Sequence, residues 1–167
     1  MNQIKLNGTQ EQKERYLRKL VSGEHIGALA MSEAGAGSDV VSMKLKAEKR
    51  NDHYRLKGTK YWITNGPDAD TLVVYAKTDP DQAHAGISAF IVEKGTPGFT
   101  AGRPLIKMGV RTSQTSELVF NNCAIPAENL LGKEGEGFLY AMQTVEWDRS
   151  ALLAPFVGVT TYILKRC

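Results

Sequence analysis

Thr71-Leu72-Val73-Val74-Tyr75-Ala76-Lys77 and, after a turn, Gly86-Ile87-Ser88-Ala89-Phe90-Ile91-Val92 decide the fold class. Both runs are continuously apolar and rich in β-branched residues, which is the composition of central strands. Working outward, Met43, Leu45 and Ala47 alternate with Lys44, Lys46 and Glu48, and Tyr54 and Leu56 alternate with Arg55 and Lys57. This period of two marks half-buried strands. Glu117 to Ile125 reads as a further strand. Gly58, Asn65-Gly66-Pro67-Asp68, Asp79-Pro80-Asp81, Thr96-Pro97-Gly98 and Pro126 punctuate the series as turns. Short strands at this spacing predict a mainly β fold, a small barrel or an orthogonal sandwich.

Helical periodicity is confined to the flanks. Thr9 is an N-cap residue and Gly23 a terminator, and between them Tyr16, Leu17, Leu20 and Val21 form one apolar stripe, so a short N-terminal helix packs there. From Glu136 the period of 3.6 returns through Phe138, Met142, Val145, Leu152, Leu153 and Phe156, the start of a C-terminal helix that Pro155 interrupts. The stripe is still running at Lys165-Arg166-Cys167, which reads as a truncated helical region. The expected organisation is therefore 1–26 as the end of an N-terminal helical domain, 27–134 as the central β-domain, and 135–167 as the start of a C-terminal helical domain.

Bulk properties narrow the function. The 167 residues are 42% hydrophobic and 23% charged, with 21 Lys and Arg against 18 Asp and Glu, so a core can be buried and no basic block calls for nucleic acid. No apolar run reaches the roughly 20 residues that span a bilayer. Cys123 and Cys167 are far apart and have no partners at metal-ligand spacing, which points to a reducing compartment and no metal. His25, His53 and His84 are isolated, and none is assigned a role.

The chemistry-bearing stretch is Leu29-Ala30-Met31-Ser32-Glu33-Ala34-Gly35-Ala36-Gly37-Ser38-Asp39. It joins a strand to a loop of small residues. Gly35 and Gly37 permit unusual φ values, and successive N–H groups beside Ser38 could cradle a pyrophosphate. The spacing is not Gly-x-Gly-x-x-Gly and no βαβ unit surrounds it, so it is not a Rossmann site. By itself the stretch is equally a plain tight loop.

Ala30 to Ser42 resembles, position by position, the first signature of the acyl-CoA dehydrogenase family: Ser-Glu, two variable residues, then small-Gly-Ser-Asp. Tyr61-Trp62-Ile63-Thr64-Asn65-Gly66, Ala89-Phe90-Ile91-Val92, Met108-Gly109-Val110-Arg111 and Ile125-Pro126-Ala127-Glu128-Asn129 follow in the family's order. Among its branches, Gly66-Pro67-Asp68-Ala69-Asp70 and the Gly27 to Ser32 stretch look most like the isovaleryl-CoA dehydrogenase-like one.

The resemblance implies FAD as cofactor, an acyl-CoA substrate, an electron-transfer flavoprotein as electron acceptor, and a full-length homo-tetramer or dimer in the mitochondrial matrix or bacterial cytoplasm. It implies that Leu29, Ala30, Met31, Ser32, Gly37 and Ser38 contact the flavin and its pyrophosphate, with Ser38 also near the substrate's pantetheine. Trp62, Ile63 and Thr64 resemble the residues flanking the isoalloxazine ring, and an indole wall and a hydroxyl near N5 suit those tasks. Asp148 matches the position of the base in the isovaleryl-like branch, with Glu146 and Arg149 beside it as substrate contacts. A glutamate beyond Cys167 is the alternative base, and a surface pair with Glu146 at a helix start is the alternative reading of Asp148 and Arg149. His84-Ala85 stands where that branch carries a substrate-touching Ser-Arg pair, so that contact is not carried over. Competing functions are a non-catalytic binding module on the same β-domain and a flavin oxidase or monooxygenase.

Overall fold

Thr71–Lys77 is buried at every position because each of its faces has its own cover. In the computed structural model, which describes residues 1–167, the strands are β1 (Gly27–Ala30), β2 (Lys46–Lys49), β3 (His53–Thr64), β4 (Thr71–Lys77), β5 (Ile87–Glu93), β6 (Phe99–Ala101), β7 (Thr115–Pro126) and β8 (Leu130–Leu131). The helices are α1 (Asn2–Asn7), α2 (Gln10–Ser22), α3 (Gly137–Ala151) and α4 (Ala154–Leu164). Leu72, Val74 and Ala76 of β4 join Phe90 and Val92 of β5 in a core that β3 and β7 close with Tyr54, Leu56, Leu118 and Phe120. Val73, Tyr75, Ala89 and Ile91 point the other way, into a second core covered by Ile4, Tyr16 and Tyr140 of the helices. Continuous apolarity in β4 and β5 is the sequence record of this double burial.

All eight strands belong to one sheet, ordered β6-β7-β3-β2-β4-β5-β8, with β1 alongside β4. The mainly β class with flanking helices is as expected, and of the two forms left open, barrel or orthogonal sandwich, the sheet does not close into a barrel. β6 and β8 lie at the ends of the strand order, three and two residues long. β2 joins the halves through a single parallel pairing, Lys46 with Lys77, so the sheet folds over at that joint and sandwiches the first core.

Local chemistry explains the elements. Thr9 and Gln12 form a reciprocal capping box, and Gly23 ends α2 in the left-handed conformation at φ 78°. Tyr16, Leu17 and Leu20 pack as the stripe predicts, whereas Val21 is exposed. The short α1 has no periodic signal, since its polar sequence offers one deeply buried apolar side chain, Ile4. Gly58 is not a turn between strands: β3 runs through it at φ 143°, where a Cβ would come within 2.9 Å of the Leu45 Cα. Met43 and Leu45 alternate inward as expected but precede β2, whose pairing starts at Lys46. The break at Leu152 and Leu153 precedes α4, with Pro155 in its first turn. No helix is long and apolar enough to cross a membrane.

Candidate functional site

β5 occupies one edge of β4 along its whole length, so β1 and β2 share the other. The chain therefore leaves the sheet at Ala30 and rejoins the same edge at Lys46, and residues 31–45 project as one excursion from it. Glu33 and Ala36 exchange backbone hydrogen bonds of 2.9 and 3.1 Å, which makes the first part a tight turn with Ala36 buried beneath it. Neither Gly35 nor Gly37 has a positive φ, so the expected conformational role is not what they provide. A Cβ built on either would meet nothing within 4 Å. These glycines leave open space over the backbone, in which a ligand could approach the main chain of Gly37 and Ser38, both exposed.

The other predicted residues of this stretch divide. Leu29 and Met31 pack toward the helix-side core, while the Ala30 side chain is enclosed in the sheet-side core and offers a ligand only its backbone. The Ser32 carbonyl accepts the Tyr61 N–H at 2.9 Å, which brings the loop against β3.

There β3 is irregular. Lys60 pairs with Leu118 and Ile63 with Ser116, so Tyr61 and Trp62 together face the single residue Glu117, a β-bulge. Trp62 sits at φ 56°, an uncommon conformation for a bulky side chain, and remains 56% exposed. The Tyr61 ring lies 5.4 Å from it, centroid to centroid. Ile63 points into the core, and Thr64 is exposed at the strand's end. Next to it Asn65, at φ 61°, donates from Nδ2 to the Gly27 carbonyl at 3.2 Å. The loop and the strand end, distant in sequence, thus form one surface.

What holds them together was not anticipated. The fully buried Lys60 donates from Nζ to the Met31 carbonyl and to Glu33 Oε1, each at 2.9 Å. Glu33 accepts the Lys44 N–H at 2.7 Å and the Leu45 N–H at 2.9 Å. Burial pulls the Lys60 ammonium down to about 8 despite the neighbouring carboxylate. A signal was present: Lys60 continues the inward parity of Tyr54 and Leu56, where the alternation calls for an apolar residue.

Asp148 lies apart from this surface. With Thr144, one turn earlier on α3, it lines a cavity of about 430 Å³ that Leu29 of β1, Val73 of β4 and Leu20 of α2 also border. Glu146 and Arg149 are exposed and do not line it. Glu146 is also mid-helix rather than at a helix start, because α3 begins at Gly137. His84 packs its ring 5.8 Å from that of Phe138.

Residues 28–123 match the sequence profile of the acyl-CoA dehydrogenase middle domain. The chain is 55% identical over 166 residues to the mitochondrial isovaleryl-CoA dehydrogenase of Pongo abelii, covering 98% of this chain and 39% of that protein. Among solved structures, an acyl-CoA dehydrogenase from Geobacillus kaustophilus superposes with a TM-score of 0.85 at 48% identity, over 89% of this chain and 40% of that one. The prolyl acyl carrier protein oxidase AnaB superposes with a TM-score of 0.94 at 40% identity, over 99% and 44%. The chain spans about 39% of the length of the curated relatives it matches.

Proposed function

This chain belongs to the acyl-CoA dehydrogenase family, and from that premise we propose that it holds FAD for the α,β-dehydrogenation of an acyl-CoA thioester, in the isovaleryl-CoA dehydrogenase-like branch. The observation that carries this reading is the open space over Gly35 and Gly37, joined through Ser32 and Tyr61 to the bulge that turns Trp62 outward. On this reading residues 27–134 are the flavin-holding unit, between the end of one helical domain (1–26) and the start of another (135–167).

The backbone of Leu29 to Ser32 and the N–H groups at Gly37 and Ser38 would hold the cofactor's pyrophosphate and ring. The exposed Trp62 indole, the Ile63 backbone and the Thr64 hydroxyl would flank the ring, the hydroxyl as a hydrogen-bonding group. Bound FAD supplies the acceptor for the substrate's β-hydrogen, removed as hydride. A carboxylate takes the α-proton: a glutamate beyond Cys167, or Asp148, which is exposed and borders the cavity that Leu29 also lines. Ser38 meets the pantetheine arm, and the exposed Glu146 and Arg149 meet the substrate outside the cavity.

The 55% identity to an isovaleryl-CoA dehydrogenase supports a short branched acyl group as substrate. An electron-transfer flavoprotein as acceptor, a homo-tetramer or dimer, and a mitochondrial matrix or bacterial cytoplasmic location complete the proposal. The test is anaerobic bleaching of bound flavin by isovaleryl-CoA in a protein extended to the length of its relatives. Asp148→Asn should slow bleaching by about tenfold or less with FAD retained, the aspartate being one methylene shorter than a glutamate base. A loss of about four orders of magnitude would make Asp148 the base, because an amide accepts no proton. The likeness to AnaB favours a second reading, an oxidase of an acyl group on a carrier. Stoichiometric oxygen consumption during turnover would select it.

A further inference from the structure

Lys60 and Glu33 touch no ligand in the proposed function, yet their contacts span the excursion from both ends. Lys60 Nζ holds the Met31 carbonyl at the loop's start and sits 3.6 Å from Met43 Sδ near its end. Glu33 holds the Lys44 and Leu45 amides where the chain rejoins β2, and closes the ring by its ion pair with Lys60 at 2.9 Å. The Lys60 side chain is wholly enclosed and that of Glu33 is 9% exposed. An exposed pair would contribute little, whereas here removing either partner leaves the other charge or two amides buried without a mate. Lys60 also immediately precedes the bulge, and the Tyr61 N–H adds its own bond to the Ser32 carbonyl. Any displacement of the loop relative to β3 breaks this group of contacts together.

We propose that the buried Lys60–Glu33 pair is a positioning pair that fixes the 31–45 loop in register with the Trp62 bulge, so that the two halves of the flavin site stay assembled before the ligand arrives. The pair touches no ligand itself. It acts by preorganisation, sparing FAD the cost of ordering the loop. This inference rests on the flavin reading of the site.

The test compares the 167-residue chain with Glu33→Gln, Lys60→Met and the double variant, by amide hydrogen exchange, equilibrium FAD titration followed by flavin fluorescence, and urea unfolding. Glu33→Gln should speed exchange at Lys44 and Leu45 at least tenfold while β4 and β5 amides keep their protection, and should raise the FAD dissociation constant at least tenfold. The double variant removes both charges, so it should recover unfolding stability relative to Lys60→Met while its FAD affinity stays low. A merely structural pair would restore both together, and that result overturns the proposal. So does unchanged exchange at Lys44 and Leu45 in Glu33→Gln. A wild-type chain that gives no saturable FAD signal strikes the flavin reading and the use assigned to the pair with it, whereas normal FAD binding by Glu33→Gln strikes the pair alone.

Discussion

Cys123 and Lys60 are both closed off from water, and their protons respond to pH in opposite directions. Burial raises the Cys123 thiol from its ordinary 9.0 to about 11, so below the ordinary value its stabilisation is complete. As pH climbs from the ordinary value toward the raised one, the unfolded chain gives up the proton while the folded chain keeps it, and stability is lost. Lys60 is lowered to about 8, so over the range up to its ordinary 10.5 the unfolded chain binds more protons and stability rises. Cys123→Ala isolates the first effect, because Lys60 and the buried tyrosines are common to both proteins. The stability advantage of the natural chain over Cys123→Ala, measured by urea unfolding, should shrink by about 1–2 kcal/mol between about pH 8 and about pH 10.5. A constant gap would mean that the thiol titrates as if exposed.

The bulge in β3 is the element on which the site turns, and it carries strain. Trp62 at φ 56° occupies a region that costs of order 1 kcal/mol for a bulky residue and little for asparagine, while its exposed ring buries little. Trp62→Asn should therefore leave thermal stability unchanged or raise it, by up to about 1 kcal/mol, and weaken FAD binding about tenfold or more. A loss of stability above about 1 kcal/mol would make the ring a packing residue instead. Elements with a strong local pattern were legible beforehand: β4 and β5 from unbroken apolar runs, α2 from Thr9 and Gly23, the break before α4 from Pro155. The bulge was not, because its two-against-one count exists only relative to β7, and β7 has its own extra residue where Asn121 and Asn122 face Lys57. Gly58 was misread for the same reason, since its glycine answers to the approach of Leu45 rather than to a local turn.

Across the whole molecule, a sheet folded over one core and covered by helices on the other leaves an excursion from the β4 edge, residues 31–45, to serve a ligand. The stretch proposed to contact the flavin was singled out through its resemblance to a family. Its mechanics were not legible: the buried pair beneath it and the separation of Asp148 into another cavity depend on contacts between distant segments. Periodicity left barrel and orthogonal sandwich open because the choice turns on the end strands, which it reads poorly at two or three residues. The central claim is that this excursion and the Trp62 bulge together form a flavin site. Its most direct measurement is an equilibrium titration of the 167-residue chain with FAD, beside Gly37→Val, whose new side chain would fill space that nothing in the protein uses. The account predicts saturable but weak binding, lost on desalting, and at least tenfold weaker binding in Gly37→Val at unchanged thermal stability. No saturable binding, or equal binding by the two proteins, would contradict it.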